Sequence, residues 1–531
     1  MIPTYDQLGY KRLIVDYHFS DYVPGTLANA NAADYVNACV ELGVDSVLVY
    51  AKDHWGNCYF TTPNYPRHPN VPQDLFGEVL AGLSENGIVG FAYFSVGWDE
   101  HIARRHPEWV MRAADGTQIR RGAPIDDRVT GRWRYLCMNS PARDYLLGQI
   151  EELVTNYNFP ALFLDILFMN PAGQICHCAW CQERWRGQHD IPFPASYTPE
   201  YLTFITGTLG RFQRDVKTII TASGKTIQIT HNFGLPFDDD DYVAFEFNAL
   251  GRNFLRGSAI AKIMRAEAAG REVELIGHRF NQDWDFTTKS PVLMRWEAAT
   301  VMAHNCALMW VDQPHMDGSF DSAALATMKA SYQVVDDLAP HTRGSEPYAE
   351  IALLYPARSM RLDPDQELDF VGAYRLLSEL HWPFDVISEE QLNPEQLQSF
   401  RLLIIPYARH LTPGAVTAVA EYVESGGRLL FTYQTATAGL SPDPLPTDSF
   451  GMVQILGPGI HPASFLRPLS KYRCGNDYLR VTDTIAFCAL TSTETYATLV
   501  EPNITVTWDQ WISHNVAPGI DTDQPAVIHG A

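Results

Sequence analysis

Asp165 stands inside Ala161-Leu-Phe-Leu-Asp-Ile-Leu-Phe168, an apolar run too short for a typical helix. Such a run reads as a strand buried on both faces, the kind found in parallel sheets. A carboxylate there costs several kcal/mol unless a partner or a reaction uses it. It is well placed at the C-terminal end of a barrel strand, where side chains open into an active-site mouth; the alternative is an Asp capping the next turn. Glu246 interrupts the apolar run Tyr242–Phe247 in a similar way, and Phe245 and Phe247 beside it would raise its pKa. Two carboxyl groups in one pocket fit retaining glycoside hydrolysis, with Asp165 as nucleophile and Glu246 as acid/base. Glu100, Asp283 and Asp285 are the reserves for the second role.

Other strand-like runs also end in polar clusters. Tyr50-Ala-Lys-Asp-His-Trp-Gly-Asn-Cys-Tyr59 offers Lys52, Asp53, His54 and Trp55, a set of donors, an acceptor and an aromatic face. Sugar rings need such a set, because adjacent hydroxyls take paired hydrogen bonds and the C–H face takes a flat surface. Asp16 and His18, Trp98-Asp-Glu100, His231-Asn232, His278, Asn281-Gln-Asp-Trp284-Asp285 and Asp312-Gln313 repeat the pattern. Each alone is weak, since a lone His on a strand is more often a satisfied core or rim residue. Together they predict one polar, aromatic-walled pocket.

The elements that must position these residues alternate along the first two thirds of the chain. Strands are expected at Arg12–His18, Ser46–Ala51, Ile88–Ser95, Ala161–Phe168, Thr226–His231, Tyr242–Phe247, Glu272–His278 and Ala307–Asp312. Helical patterns fall between them at Ala33–Leu42, Pro141–Tyr157, Leu202–Ile220 and Pro291–His304. Eight strand–helix units predict a (β/α)8 TIM barrel over residues 1–345, with an open doubly wound sheet as runner-up. No Gly-rich phosphate loop follows the first strand. A turn-rich stretch near His341–Pro347 marks a boundary. Beyond it, strands at Ala349–Tyr355, Arg401–Pro406 and Arg428–Thr432 and helices at Asp369–Leu380 and Pro413–Ser425 predict a smaller doubly wound, flavodoxin-like α/β domain over 346–450. It holds no Gly-x-Ser-x-Gly or Gly-x-Cys-x-Gly elbow, so its expected job is packing or assembly. Residues 451–531 read as a mixed β extension, with a β-like run at Thr505–Trp508.

Composition bounds the function. At 531 residues, 46% hydrophobic, the chain can bury large cores in two or three domains. A formal charge of −23 argues against nucleic acid or an anionic membrane as partner. No apolar stretch approaches the ~20 residues of a membrane span. The first residues show no basic-then-apolar leader, and nine cysteines are odd in number; a cytoplasmic protein is the expectation. Catalysis is expected to need no cofactor. Three of those cysteines crowd into Cys176-His-Cys-Ala-Trp-Cys181, and thiolates so spaced converge readily on a tetrahedral zinc. Cys137 is the first choice for the fourth ligand and His177 the second. Four thiolates leave no open position, so the metal would be structural.

The chain resembles a known group of enzymes. Ala51-Lys-Asp-His-Trp-Gly-Asn-Cys58 is similar to the Ala-Lys-His-His-Asp-Gly-Phe-Cys segment of family 29 α-L-fucosidases, with Asp53 in place of the first His and His54 matching the second. Leu162-Phe-Leu-Asp165 looks like the strand that carries the fucosidase nucleophile. The whole layout resembles the hypothetical glycoside hydrolase barrels joined to a β-galactosidase-type trimerisation domain, as in family 151 α-L-fucosidases. Tyr135-Leu-Cys-Met-Asn-Ser-Pro141 and the Cys-x-Cys-x-x-Cys segment belong to that likeness, which covers roughly residues 8–435. Family 42 β-galactosidases have a similar cysteine set around a zinc. The resemblance implies an exo-acting α-L-fucosidase on a carbohydrate substrate, in a homo-oligomer, trimer or dimer. Another exo-glycosidase such as a galactosidase, or a carbohydrate-binding or assembly protein, is the alternative. A fucose methyl would need apolar contact, from Trp55 or Phe60.

Overall fold

A computed structural model describes the chain apart from residues 1–3, 122–132, 170–172, 233–235, 248–253, 282–284, 363–366, 390–391, 433–434, 437–447, 450–452, 459–462, 469–478, 483–484, 490–492, 503–517 and 531. It divides into two compact units, Met1–Pro347 and Tyr348–Ala531.

The first unit holds eight parallel strands: β1 (Lys11–Val15), β2 (Ser46–Lys52), β3 (Val89–Ser95), β4 (Ala161–Asp165), β5 (Gln228–His231), β6 (Val243–Glu246), β7 (Val273–His278) and β8 (Ala307–Asp312). Their order, β5-β4-β3-β2-β1-β8-β7-β6, is a barrel opened at one seam. That seam is bridged by the Asp241 N–H donating to Ile229 O at 2.8 Å and Thr230 Oγ1 donating to Tyr242 O at 2.7 Å. The fold is a TIM barrel, and all eight expected strands are present.

Two strands stop earlier than their apolar runs. β1 ends at Val15, so Asp16 and His18 lie beyond it. β4 ends at Asp165 because Ile166 takes a positive φ of 56°, a conformation that costs a β-branched residue and turns the chain out of the sheet. Along β4 every residue is buried. Phe163 pairs with Tyr93 and Asp165 with Ser95, so period-2 alternation carries the aromatic layer inside the barrel up to Asp165 at its mouth. Helices return the chain between strands with ordinary caps. Thr198 accepts from Tyr201 N ahead of Pro199–Ala222, and Ser290 from Leu293 N ahead of Pro291–Ala303, each with proline in the first turn.

The second unit has a parallel sheet of β9 (Ile351–Tyr355), β10 (Phe384–Ser388), β11 (Leu402–Ile405) and β12 (Arg428–Phe431), in the order β10-β9-β11-β12. This is a small doubly wound sheet. β10 was not expected, since Trp382-Pro-Phe-Asp-Val-Ile387 mixes polar and apolar residues without a clear period. The same unit contains two antiparallel sheets, one of Asp448–Ser449, Val453–Pro458 and Ile485–Ala489. The other joins Ala463–Pro468, Leu479–Thr482, Thr493–Pro502 and Pro518–Gly530. The run Thr505–Trp508 lies outside the described residues.

Candidate active site

The C-terminal ends of β1 to β6 bring Asp165, His18, His54, Asn232 and Glu246 together. Asp165 is 6% exposed. Its Oδ1 accepts from the Ile166 N–H at 2.9 Å, and its Oδ2 takes the Tyr93 hydroxyl proton and lies 3.6 Å from His54 Nε2. Burial pushes the Asp165 carboxyl up to about 6, against the pull of the Tyr93 and Asn232 hydrogen bonds. Asn232 reaches both carboxyl groups. Its Oδ1 shares the Ile166 N–H at 3.0 Å, and its Nδ2 donates to Glu246 Oε1 at 3.0 Å. Glu246 is raised to about 7, first by desolvation and then by the Asp165 charge. Two carboxyl groups with separated raised pKa values are what a base or nucleophile and an acid need near neutral pH.

His54 is buried in an aromatic stack. Its ring lies 3.4 Å from His18, nearly parallel, and edge-on to Trp98 at 4.5 Å and Trp133 at 5.0 Å. Ser95 Oγ donates to Trp98 O at 3.0 Å, so its oxygen receives a proton from His54 Nδ1 at 2.7 Å. That leaves His54 Nε2 as an acceptor toward the pocket. Desolvation lowers the pKa of both His18 and His54, which keeps the rings neutral. Trp55 is fixed by its Nε1 donating to His18 O at 3.0 Å and meets Trp133 edge-on at 6.2 Å. Trp98 is buried and stacks on Trp133 at 4.9 Å; its indole N–H has no acceptor among the described residues.

Several expected pocket residues are used elsewhere. Opposite β3, Tyr50 pairs with Tyr93 but Lys52 with Phe94, so a β-bulge at Ala51 turns Lys52 away from the face that Tyr50 shares. The Lys52 ammonium is fully buried, bonded to Ser95 O at 2.9 Å and paired with Asp99 at 3.2 Å. Asp53 is spent on its own loop, accepting from Asn57 N, Asn57 Nδ2 and Tyr59 OH at 2.8–3.1 Å. Asp312 is tied to the buried Arg279, which also holds Thr287 O. His231 pairs through Nδ1 with Asp240 at 3.0 Å and stacks on Phe237. His278 is held at a pKa of about 3 by desolvation and packs against Phe280. Asp285 is half-buried, and Trp284 and Asp283 lie outside the described residues. Glu100 is occupied by Arg134 at 2.7 Å, and Phe60 is wholly buried beside Tyr157. Tyr50, Tyr93, Ser95 and Trp133 were not foreseen as pocket residues. For Tyr50 and Tyr93 the signal existed, as polar-tipped aromatics two positions before strand ends.

The four cysteines converge. Cys137 Sγ lies 3.4 Å from Cys181 Sγ and 3.5 Å from Cys178 Sγ, and all four sulfurs lie within 4.8 Å of one another. Tetrahedral Zn–S bonds of about 2.3 Å require S···S separations of about 3.8 Å, so the set fits one ion. His177 is half-exposed and packs on Phe193 instead.

The family described as Hypothetical glycosyl hydrolase 6 matches residues 31–166, and the Beta-galactosidase trimerisation domain matches residues 358–452. The chain is a glycoside hydrolase. The first match covers β2 to β4 and ends one residue past Asp165. Among solved structures, the glycoside hydrolase is similar to an α-L-fucosidase, isoenzyme 2, from Paenibacillus thiaminolyticus. The TM-score is 0.79 and the identity 20%, over 98% of this chain and 78% of that one. It is also similar to a β-galactosidase from Bacillus circulans sp. alkalophilus, at TM-score 0.70 and 14% identity, over 93% of this chain and 83% of that one. A β-galactosidase from the psychrophilic Marinomonas ef1 follows at TM-score 0.64 and 14% identity, over 92% and 86%. These likenesses show the fold. No curated protein matches the sequence. Among the described residues, no helix is long and apolar enough to cross a membrane.

Proposed function

We propose that this glycoside hydrolase is an exo-acting α-L-fucosidase that retains anomeric configuration. Asp165 attacks the anomeric carbon as Glu246 gives its proton to the leaving oxygen, and Glu246 then takes a proton from the water that cleaves the glycosyl-enzyme. The observation that carries this reading is the pair of carboxyl groups bridged by Asn232, Asp165 buried and supplied with donors, Glu246 half-buried and of higher pKa. His54 Nε2 accepts a sugar hydroxyl, His18 supports it, and Trp55, Trp98 and Trp133 wall the ring. The likeness of the His54 segment to fucosidases and the overall likeness to a fucosidase support fucose as the sugar. The trimerisation-type domain and the two β-galactosidase neighbours favour galactoside hydrolysis as the second reading. Nitrophenyl glycosides of α-L-fucose, β-D-galactose, α-D-galactose and β-D-mannose separate the two. Proton NMR of the first-formed sugar reads retention; turnover of a galactoside alone would reject fucose, and an inverted product would reject Asp165 as nucleophile.

The same reading includes a homotrimer built through the second unit, a cytoplasmic location, and a structural zinc held by Cys137, Cys176, Cys178 and Cys181. Such a zinc would tie the Cys137 segment after β3 to the loop that follows Asp165 and would take no part in the reaction.

A further inference from the structure

The hydroxyl protons around His18 can be assigned one by one. Tyr93 gives its proton to Asp165 Oδ2, and Tyr50 gives its proton to Asp16 Oδ1 at 3.0 Å. Both tyrosine oxygens also lie against His18 Nε2, Tyr50 at 2.8 Å and Tyr93 at 3.1 Å. Each hydroxyl has one proton, already given to a carboxylate, so Nε2 must be the donor in both contacts. His18 Nδ1 is then bare and accepts the His54 backbone N–H at 3.4 Å. The rings of Tyr50 and Tyr93 stack at 4.1 Å, 12° from parallel, which holds their hydroxyl oxygens in place against His18. The proton count closes with a neutral His18 and no spare donor.

We propose that Asp16 is a positioning residue for Asp165, acting through the chain Tyr50–His18–Tyr93 to hold the Tyr93 proton on the nucleophile. The inference rests on the reading of Asp165 as nucleophile. Asp16 follows the last residue of β1, with β2 and β3 between that strand and Asp165 on β4, and touches neither it nor the pocket acceptor His54 Nε2. Without the Asp16 acceptor, the nearest acceptor for the Tyr50 proton is His18 Nε2. Donation there drives the His18 proton to Nδ1, where it meets the His54 N–H, donor against donor. Tyr93 then loses the His18 donor that fixes its oxygen, and its proton no longer points steadily at Asp165. Asp16 Oδ1 also accepts from the His18 N–H at 2.9 Å, so an uncharged acceptor at this position keeps both bonds.

Asp16→Ala, Asp16→Asn, Tyr50→Phe and the Asp16→Ala/Tyr50→Phe pair, assayed on the glycoside the wild type cleaves, test this. Asp16→Ala is expected to lower kcat about tenfold or more with KM within about threefold, and Asp16→Asn to recover most of the loss. In the Tyr50→Phe background, Asp16→Ala is expected to cost nothing further, because the two act through one chain. Independent, multiplying losses would overturn the proposal. The second readout needs no turnover. Nitrogen NMR of 15N-histidine-labelled protein, with His18 assigned by its disappearance in His18→Gln, is expected to show the Nε2–H tautomer in the wild type. In Asp16→Ala the proton shifts toward Nδ1. An unchanged His18 tautomer overturns the relay, whereas failure to cleave any glycoside with the shift present overturns only the hydrolase assignment of Asp165.

Discussion

Asn232 donates Nδ2 to Glu246 Oε1 at 3.0 Å while its Oδ1 shares the Ile166 N–H with Asp165. One amide therefore couples the two carboxyl groups without neutralising either. In the proposed reaction Asp165 would have to be ionised to attack, and burial raises it to about 6; Glu246 would have to be protonated to donate, and it is raised to about 7. Activity should rise with pH through about 6 and fall through about 7, a narrow bell in kcat/KM. Glu246→Gln should remove the falling limb and slow poor leaving groups far more than nitrophenyl ones. A falling limb that survives in Glu246→Gln would assign the acid to another residue.

The same pKa shift gives a stability prediction. Glu246 ionises at about 7 in the folded chain against 4.5 as its ordinary value, so between those values the native state holds more protons than the unfolded one. Stability from this group is therefore lost as pH rises from about 4.5 to about 7, and the loss is complete above it. Glu246→Gln should melt higher than the wild type at pH 8, with the difference fading toward pH 4. Thermal denaturation at the two pH values reads the sign.

Asp165→Asn should reduce turnover roughly 10^3-fold or more, since the covalent route is lost. In Asp165→Ala, where the carboxyl group is removed and not merely replaced by an amide of the same size, azide or formate should restore part of the rate by entering the space beside Tyr93 and His54. A rate close to wild type would remove Asp165 from the mechanism.

His54→Ala should cost about 1–3 kcal/mol in kcat/KM, including a fall in kcat, because a sugar hydroxyl loses its acceptor. A rim position would leave stability unchanged. In the structure His54 is buried between His18 and Trp98 and bonded to Ser95, so melting temperature should fall as well. His54→Gln retains an acceptor and should separate the two losses by recovering stability more than rate.

The cysteine set predicts about one zinc per chain, measured by elemental analysis of purified protein. Cys137→Ser should lower both zinc content and melting temperature, with initial rates at low temperature much less affected. Zinc-free protein of unaltered stability would show that the four thiols pack without an ion.

The eight barrel strands and most of the second sheet were legible in the sequence, because a strand buried on both faces leaves an apolar run of matching length. Asp165 and Glu246 were legible for the same reason, as carboxylates that interrupt such runs. The four cysteines could be grouped because two of their spacings are local. What the tertiary structure decided is which way each polar strand end points. Lys52, Asp53 and Asp312 have the right chemistry at the right ends, yet a bulge at Ala51, the loop to Asn57 and the buried Arg279 consume them. Conversely, Tyr50 and Tyr93 enter the site from strands and Trp133 from a loop, at positions that the sequence marks only by an aromatic residue. Residue type and period fix which segments become strands; the side-chain partners come from residues tens to hundreds of positions away, and only packing brings those together.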